Sequence, residues 1–469
     1  MRFGVKIVSL QIWIWCIFIM KRKIYKELLE WKQYRSAKEA ILIDGARRVG
    51  KSYIVEEFAR NEYKSYILID FGQLTDELRE VFDQYLPNLD LFFQRLGLVT
   101  GVKLFPRESL VVFDEVQRYP KARQAIKHLV KDGRYDYIET GSLVSINKNV
   151  EGIIIPSEER HLDMHPMDFE EFLWAMGEDM LMDFVRQCFE QRKPLGAALH
   201  RKTLDYLRLY MIVGGMPQAV QEYIDSQDFE QVDQTKRNIL DLYRRDIFQY
   251  AAHCADKVAR IFDGIPSQLQ KHEKRFRIGS LKKGARSRDY ADAFFWLDES
   301  RTVNVCYAAT APNIGLKLNR DDSKYKVYLA DTGLLISHAF DEDMIRGEQL
   351  YRKLMLGKLE VNKGMLVENL VAQMIHAAGK KLYFYSNLNK ADSDDTMEVD
   401  FLVRKPMVTN RHNICPIEVK SSTRYTLSSI NKFRRKYAEY LAEPFLLHSS
   451  DLMQKDGVTY LPLYMAPLL

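Results

Sequence analysis

The octapeptide Gly45-Ala46-Arg47-Arg48-Val49-Gly50-Lys51-Ser52 stands directly after the apolar run Ala40-Ile41-Leu42-Ile43. It runs directly into a stretch with helical periodicity, Tyr53 to Arg60. A glycine-rich turn between a buried strand and a helix constrains the fold more than any other feature of this chain. Successive backbone N–H groups and the helix N-terminus must then converge on one point, where an anion is stabilised. The pattern GxxxxGKS adds the side chains that a triphosphate needs there. Gly45 and Gly50 let the backbone wrap a phosphate, with Ala46, Arg47, Arg48 and Val49 between them. Lys51 brings a point charge to the β- and γ-phosphates, and Ser52 offers its hydroxyl to magnesium. The expected ligands are ATP and Mg2+.

Three further runs have the shape of short buried strands: Ser65 to Asp70, Leu110-Val111-Val112-Phe113-Asp114 and Tyr135 to Thr140. Helical stretches lie between them, so the fold class expected is α/β with a parallel sheet covered on both faces. The second run ends in Asp114-Glu115. Asp114 is placed to hold the magnesium together with Ser52, and Glu115 to polarise the attacking water. Thr140-Gly141-Ser142 ends the next strand, where the Thr140 hydroxyl is a candidate sensor of the γ-phosphate. Arg160 and the Arg244-Arg245 pair are candidate arginine donors for the transition state.

Composition excludes little. Apolar residues make up 46% and charged residues 28%, an ordinary globular balance, and the net charge is only +5. Any basic surface must therefore be local. Cys16, Cys188, Cys254, Cys306 and Cys415 are widely spaced and form no CxxC pair, which fits a reducing cytoplasm rather than a disulfide framework. Val5 to Met20 is apolar but short of the roughly 20 residues that span a bilayer. No small-residue cleavage site follows it. Residues 1–19 are read as an upstream mis-start before Met20, with a membrane anchor as the alternative. Lys21 onward reads as an amphipathic entry helix, with Ile24, Leu28, Leu29 and Trp31 on its apolar face.

Beyond Pro166 the pattern is mainly helical, broken by Gly214-Gly215-Met216-Pro217, and then mixed. The phosphate loop, the Val112-to-Gln117 strand end and Thr140-Gly141-Ser142 resemble a prokaryotic family of AAA-type P-loop ATPases. So do His165-Pro166-Met167-Asp168-Phe169-Glu170-Glu171-Phe172-Leu173, Gly214 to Pro217, Tyr243 to Ile247 and Leu329-Ala330-Asp331-Thr332-Gly333-Leu334-Leu335. The resemblance implies an AAA-type core over residues 20–165, a helical lid region over 166–255 and a winged-helix-like domain over 256–345. It also implies a restriction-endonuclease-like C-terminal domain over 346–469, and makes self-assembly possible.

In that last region Asp400 ends or lies within an apolar strand, and Glu418-Val419-Lys420 lies on another. Alternation puts Glu418 and Lys420 on one strand face. This resembles the D…ExK set of nucleases, although no proline directly precedes Asp400. Asp400 and Glu418 would share a second Mg2+ or Mn2+, Lys420 would position water, and Glu368 would be a fourth member. Glu398 is an alternative ligand. Lys271 to Arg288 holds eight Lys or Arg, either a phosphate-contacting face or a solvated one. His161 and His165, four apart, would suit zinc on a helix, but lacking a third ligand they are read as non-ligands. The functional expectation is an ATPase coupled to a C-terminal half that faces DNA or RNA. The alternatives are an ATP-regulated nuclease using Asp400, Glu418 and Lys420, and a non-enzymatic ATP-dependent switch.

Overall fold

The computed structural model describes residues 20–143, 154–271, 275–282, 284–341, 348–355, 363–388, 395–405, 407, 409–422 and 424–469. The apolar stretch before Met20 and Lys274 and Lys283 of the basic run lie outside them. Five parallel strands form the first sheet: β1 (Ala40–Asp44), β2 (Ser65–Asp70), β3 (Ser109–Asp114), β4 (Asp136–Gly141) and β5 (Glu159–Asp163), in the order β2-β3-β4-β1-β5. Every residue of β1, β3 and β4 is buried, as a sheet covered on both faces requires.

The order has a direct consequence. β4 lies between β1 and β3, so its tip stands between the phosphate loop and Asp114. β5 is the strand that periodicity does not announce. Its sequence Glu-Arg-His-Leu-Asp is polar because it closes the edge of the sheet, pairing only with β1 among the strands. His161 is therefore on a strand rather than a helix, and its ring nitrogen meets Glu159 at 2.6 Å. His165 follows the strand, and its ring packs edge-on against that of His376.

The entry helix Ile24–Tyr34 buries Ile24, Leu28 and Trp31, but Leu29 faces solvent. Helices follow the first sheet: Phe169–Ala175, Leu181–Gln191, Ala197–Val213, Pro217–Ser226 and Phe229–Tyr250. Further on, the antiparallel hairpin of β6 (Val303–Ala309) and β7 (Arg320–Leu329) sits where a wing was expected. It does not stand alone. β6 pairs in parallel with β8 (Tyr383–Asn387), and β8 pairs with β9 (Met397–Val399), giving a sheet of order β7-β6-β8-β9. A third sheet, order β10-β11-β12-β14-β13, comprises β10 (Phe401–Arg404), β11 (Ile414–Val419), β12 (Phe445–His448), β13 (Met453–Lys455) and β14 (Val458–Pro462). Asp400 is thus not inside a strand but at the bend between β9 and β10.

The turn Gly214 to Pro217 and the motif around Asp331 are two sides of one joint. Asp331 is fully buried, and its carboxylate accepts the N–H groups of Gly215 at 2.5 Å and Leu334 at 2.8 Å. The second contact caps the helix Thr332–Ala339. Gln373, on the helix Lys363–Ala377, donates to Asp331 at 3.3 Å and to the Tyr210 hydroxyl at 2.8 Å. Tyr210 in turn donates to the Met167 carbonyl at 2.7 Å. Asp331→Ala leaves two buried N–H donors unanswered and is expected to lower the unfolding free energy by about 2 kcal/mol or more. A urea titration followed by tryptophan fluorescence checks it, and an unchanged midpoint would show that the joint is not structural.

Candidate nucleotide site

The phosphate loop takes its shape from close approaches that only glycine permits. A Cβ on Gly45 would stand 2.3 Å from the Met164 carbonyl oxygen, and Gly50 has φ +97°. The helix Lys51–Glu62 begins immediately after that left-handed residue. The Lys51 ammonium is buried and turned back onto the loop. It donates to the carbonyls of Gly45 (2.8 Å) and Ala46 (3.0 Å) and to the Ser142 hydroxyl (2.8 Å). Burial lowers its pKa, while the carboxylates of Glu115, Asp44 and Asp114 oppose that shift.

The strand order brings the other expected residues to the same place. Ser52 donates to Asp114 at 2.9 Å, and the Thr140 hydroxyl donates to the same Asp114 oxygen. A hydroxyl and a carboxylate side by side form a hard-oxygen donor set, which fits Mg2+. Glu115 has φ +54°, the left-handed region, at a cost of roughly 1–2 kcal/mol for a residue with a side chain. The side chain lines a cavity of about 1000 Å³ together with Lys51, Ser52 and Ser142, and Gln117 donates to it at 2.6 Å. Further lining of the wall comes from Met20, Tyr53 and, from the helix Pro217–Ser226, Pro217, Gln218, Gln221 and Ile224.

Two arginines hold this loop through contacts that sequence reasoning missed. Arg22, in a Lys-Arg-Lys run that looks solvated, is buried. Its guanidinium donates to the Val49 carbonyl and the His165 carbonyl, each at 2.7 Å, and pairs with Glu171 at 3.1 Å. Arg47 pairs with Asp246 at 2.6 Å, and Tyr243 donates to the Arg47 carbonyl at 3.0 Å, tying the loop to the helix Phe229–Tyr250. Nothing in local periodicity marks either contact, because both partners are distant in the chain. The arginines that were singled out lie elsewhere. Arg244 faces Asp241, Asp263 and Asp341 at 3.3–3.4 Å, Arg245 is exposed on the same helix, and Arg160 sits on the edge strand β5. The cations that line the cavity, among the described residues, are Arg22, Arg47, Arg48 and Lys51.

The C-terminal carboxylates also come together, around an unforeseen partner. Lys420 meets Glu418 at 2.6 Å, and Asp400 accepts the Val419 N–H at 2.9 Å. Burial, and then the charge of Asp400, raise the Glu418 carboxyl to about 7, against the opposing pull of Lys420. Lys326 of β7 reaches into the group, at 2.8 Å from Glu398, 3.2 Å from Glu368 and 3.6 Å from Asp400. Burial would lower the Lys326 pKa, but these three carboxylates raise it well above the usual lysine value. Among the described residues no group of three or more His, Cys, Asp or Glu is arranged to hold a metal ion. No helix there is long and apolar enough to cross a membrane. Of the basic run, Arg277, Lys282, Arg286 and Arg288 lie in short turns before the hairpin.

Arg22→Ala would leave the buried Glu171 carboxylate without its charged partner and free the carbonyls of Val49 and His165. It is expected to cost about 3 kcal/mol of stability and to weaken nucleotide binding. Arg22→Lys keeps the charge but not the fork, and should recover stability more than affinity. Paired denaturation and fluorescent-nucleotide titrations check both; wild-type affinity in Arg22→Ala would remove Arg22 from the loop's support.

Residues 37–173 match the family model described as an AAA domain. Residues 204–343 and 363–465 match two others, each described as a domain of unknown function (DUF8612 and DUF4143). No curated protein matches the chain. Among solved structures it is similar to the Walker-type ATPase PABY2304 of Pyrococcus abyssi (17% identity, 68% of this chain and 96% of that one, TM-score 0.38). It is also similar to PCH-2 of C. elegans (12%, 46% and 70%, TM-score 0.22). A third is Cdc6p of Pyrobaculum aerophilum (11%, 72% and 93%, TM-score 0.21). Over residues 37–173 the chain thus matches an AAA domain, and the structure there is a five-stranded parallel sheet with the phosphate loop at the end of β1.

Proposed function

We propose that the chain is a Mg2+-dependent ATPase whose nucleotide state is transmitted to its C-terminal half. The observation that carries this reading is the meeting of Lys51, Ser52, Asp114, Glu115, Thr140 and Ser142 at three neighbouring strand ends. In this reading a triphosphate takes over the Lys51 donors now spent on loop carbonyls. Ser52 and Asp114 hold Mg2+, which supplies charge neutralisation at the phosphates when bound. Glu115 orients the attacking water, and Thr140 and Ser142 sense the γ-phosphate. Pro217, Gln218 and Gln221 face the base. The same turn that begins at Gly214 is held by Asp331 and Gln373, so a shift of this wall is felt at the helix Lys363–Ala377.

Nucleic acid is the partner class proposed for the C-terminal half. The helix Ser428–Lys436 carries Lys432, Arg434, Arg435 and Lys436 and no acidic residue. Three of these, with His412, line a groove of about 980 Å³. Self-assembly belongs to the reading through the AAA-type core. The alternative of a nuclease at Asp400, Glu418 and Lys420, with Glu368, requires Mg2+ or Mn2+ at Asp400 and Glu418, and Lys326 stands 3.6 Å from Asp400. The alternative of a non-enzymatic switch requires binding without turnover.

Phosphate release from ATP with Mg2+ tests the proposal. Lys51→Ala and Glu115→Gln are each expected to lower turnover about a hundredfold or more. Only Lys51→Ala should also abolish nucleotide binding. Turnover equal in all three preparations would sink the assignment, and tight binding with no turnover in the wild type would leave the switch.

A further inference from the structure

We propose that Lys326 is a tethered cation standing where a divalent metal would stand. The C-terminal carboxylate cluster is then a joint held by a buried cation and not a metal centre. The inference concerns the cluster alone and does not rest on the ATPase reading.

The argument begins with β7. Lys326 lies on the strand that precedes Asp331, opposite Cys306 on β6, and is completely buried. Its ammonium lies over the face of Phe384 on β8, 5.1 Å from the ring centre. The ammonium ends among carboxylates from three later elements: Glu368 on the helix Lys363–Ala377, Glu398 on β9 and Asp400 at the bend that follows. A lysine ammonium has three donors and no acceptor; Glu398 and Glu368 stand at hydrogen-bond distance, and Asp400 adds its charge at 3.6 Å. The remaining oxygens are largely committed as well. The Glu368 oxygen that faces Lys326 also accepts the Tyr328 hydroxyl at 2.5 Å. Asp400 spends Oδ2 on the Val419 N–H, and Glu418 spends Oε1 on Lys420. Glu418 Oε2 is the buried oxygen of this group left without a hydrogen-bond partner.

A hard divalent cation needs about six oxygens. Beside Asp400 and Glu418 it would find one uncommitted buried oxygen and two ammonium groups, Lys326 and Lys420. Like charges at such separations in a poorly solvated site repel strongly. The second metal expected from the D…ExK pattern therefore does not fit these residues. Lys326 does instead what the metal would do electrostatically. It offsets part of the cluster's negative charge, and it ties β7 to the helix Lys363–Ala377 and to β9.

The test is Mn2+ binding to the full chain without nucleotide, read by electron paramagnetic resonance as free against bound ion. Wild type, Asp400→Asn and Glu418→Gln are expected to bind Mn2+ equally. Lys326→Met removes the ammonium at similar length. It should gain one site at least about tenfold tighter than anything in the wild type, lost again on adding Asp400→Asn. Wild-type Mn2+ binding that falls in Asp400→Asn or Glu418→Gln would overturn the proposal. So would a folded Lys326→Met protein that gains no site. Should Lys326→Met not fold, the comparison of wild type with the two carboxylate variants decides alone.

Discussion

The Lys51 ammonium is a buried positive charge whose three acceptors are two loop carbonyls and one hydroxyl from the next-door strand. A charge so placed has lost its water, and burial alone would drive it neutral. It is sustained by the field of Asp44, Asp114 and Glu115, which come from the ends of β1 and β3. The site is therefore built around an ammonium short of negative charge and a cavity open to receive some. The left-handed turn at Gly50, the close approach at Gly45 and the strained backbone at Glu115 keep that arrangement in register.

The same device recurs away from the loop. Arg22 joins the entry segment to the loop and to Glu171, Asp331 joins the Gly214 turn to the motif after β7, and Lys326 joins β7 to three later carboxylates. Each is a buried charge that bridges segments far apart in the chain. Such bridges are weak contributors to net stability, yet breaking one strands its partner at a cost of several kcal/mol. They make the joints specific rather than strong. Two of them lie on one route: Gln373 enters the Asp331 joint and Glu368 enters the Lys326 joint, and both ride on the helix Lys363–Ala377.

Much of this was legible in order of residues. The short apolar runs became β1 to β4, and the strand–loop–helix placement of Gly45 to Ser52 held because apolar runs bounded by glycine have few other places to go. Two kinds of feature were not legible. The polar edge strand β5 has no apolar alternation to betray it, since an edge needs little. Asp400 read as part of a strand because its neighbours are apolar, but it occupies the bend between β9 and β10, where its carboxylate meets a backbone N–H.

Arg22 and Lys326 mark the remaining gap. In the chain, one sits in a basic run and the other precedes the apolar run Val327-Tyr328-Leu329, and neither pattern says what the charge will face. The sequence by itself determined the phosphate loop, the acidic strand end and the parallel α/β core, because those depend on residues within a few positions of one another. Only the tertiary structure decided that β4 lies between the loop and Asp114, that Arg22 clasps the loop, and that a lysine stands among the C-terminal carboxylates. A buried charge is satisfied by partners in space, and these partners lie tens to more than a hundred residues away.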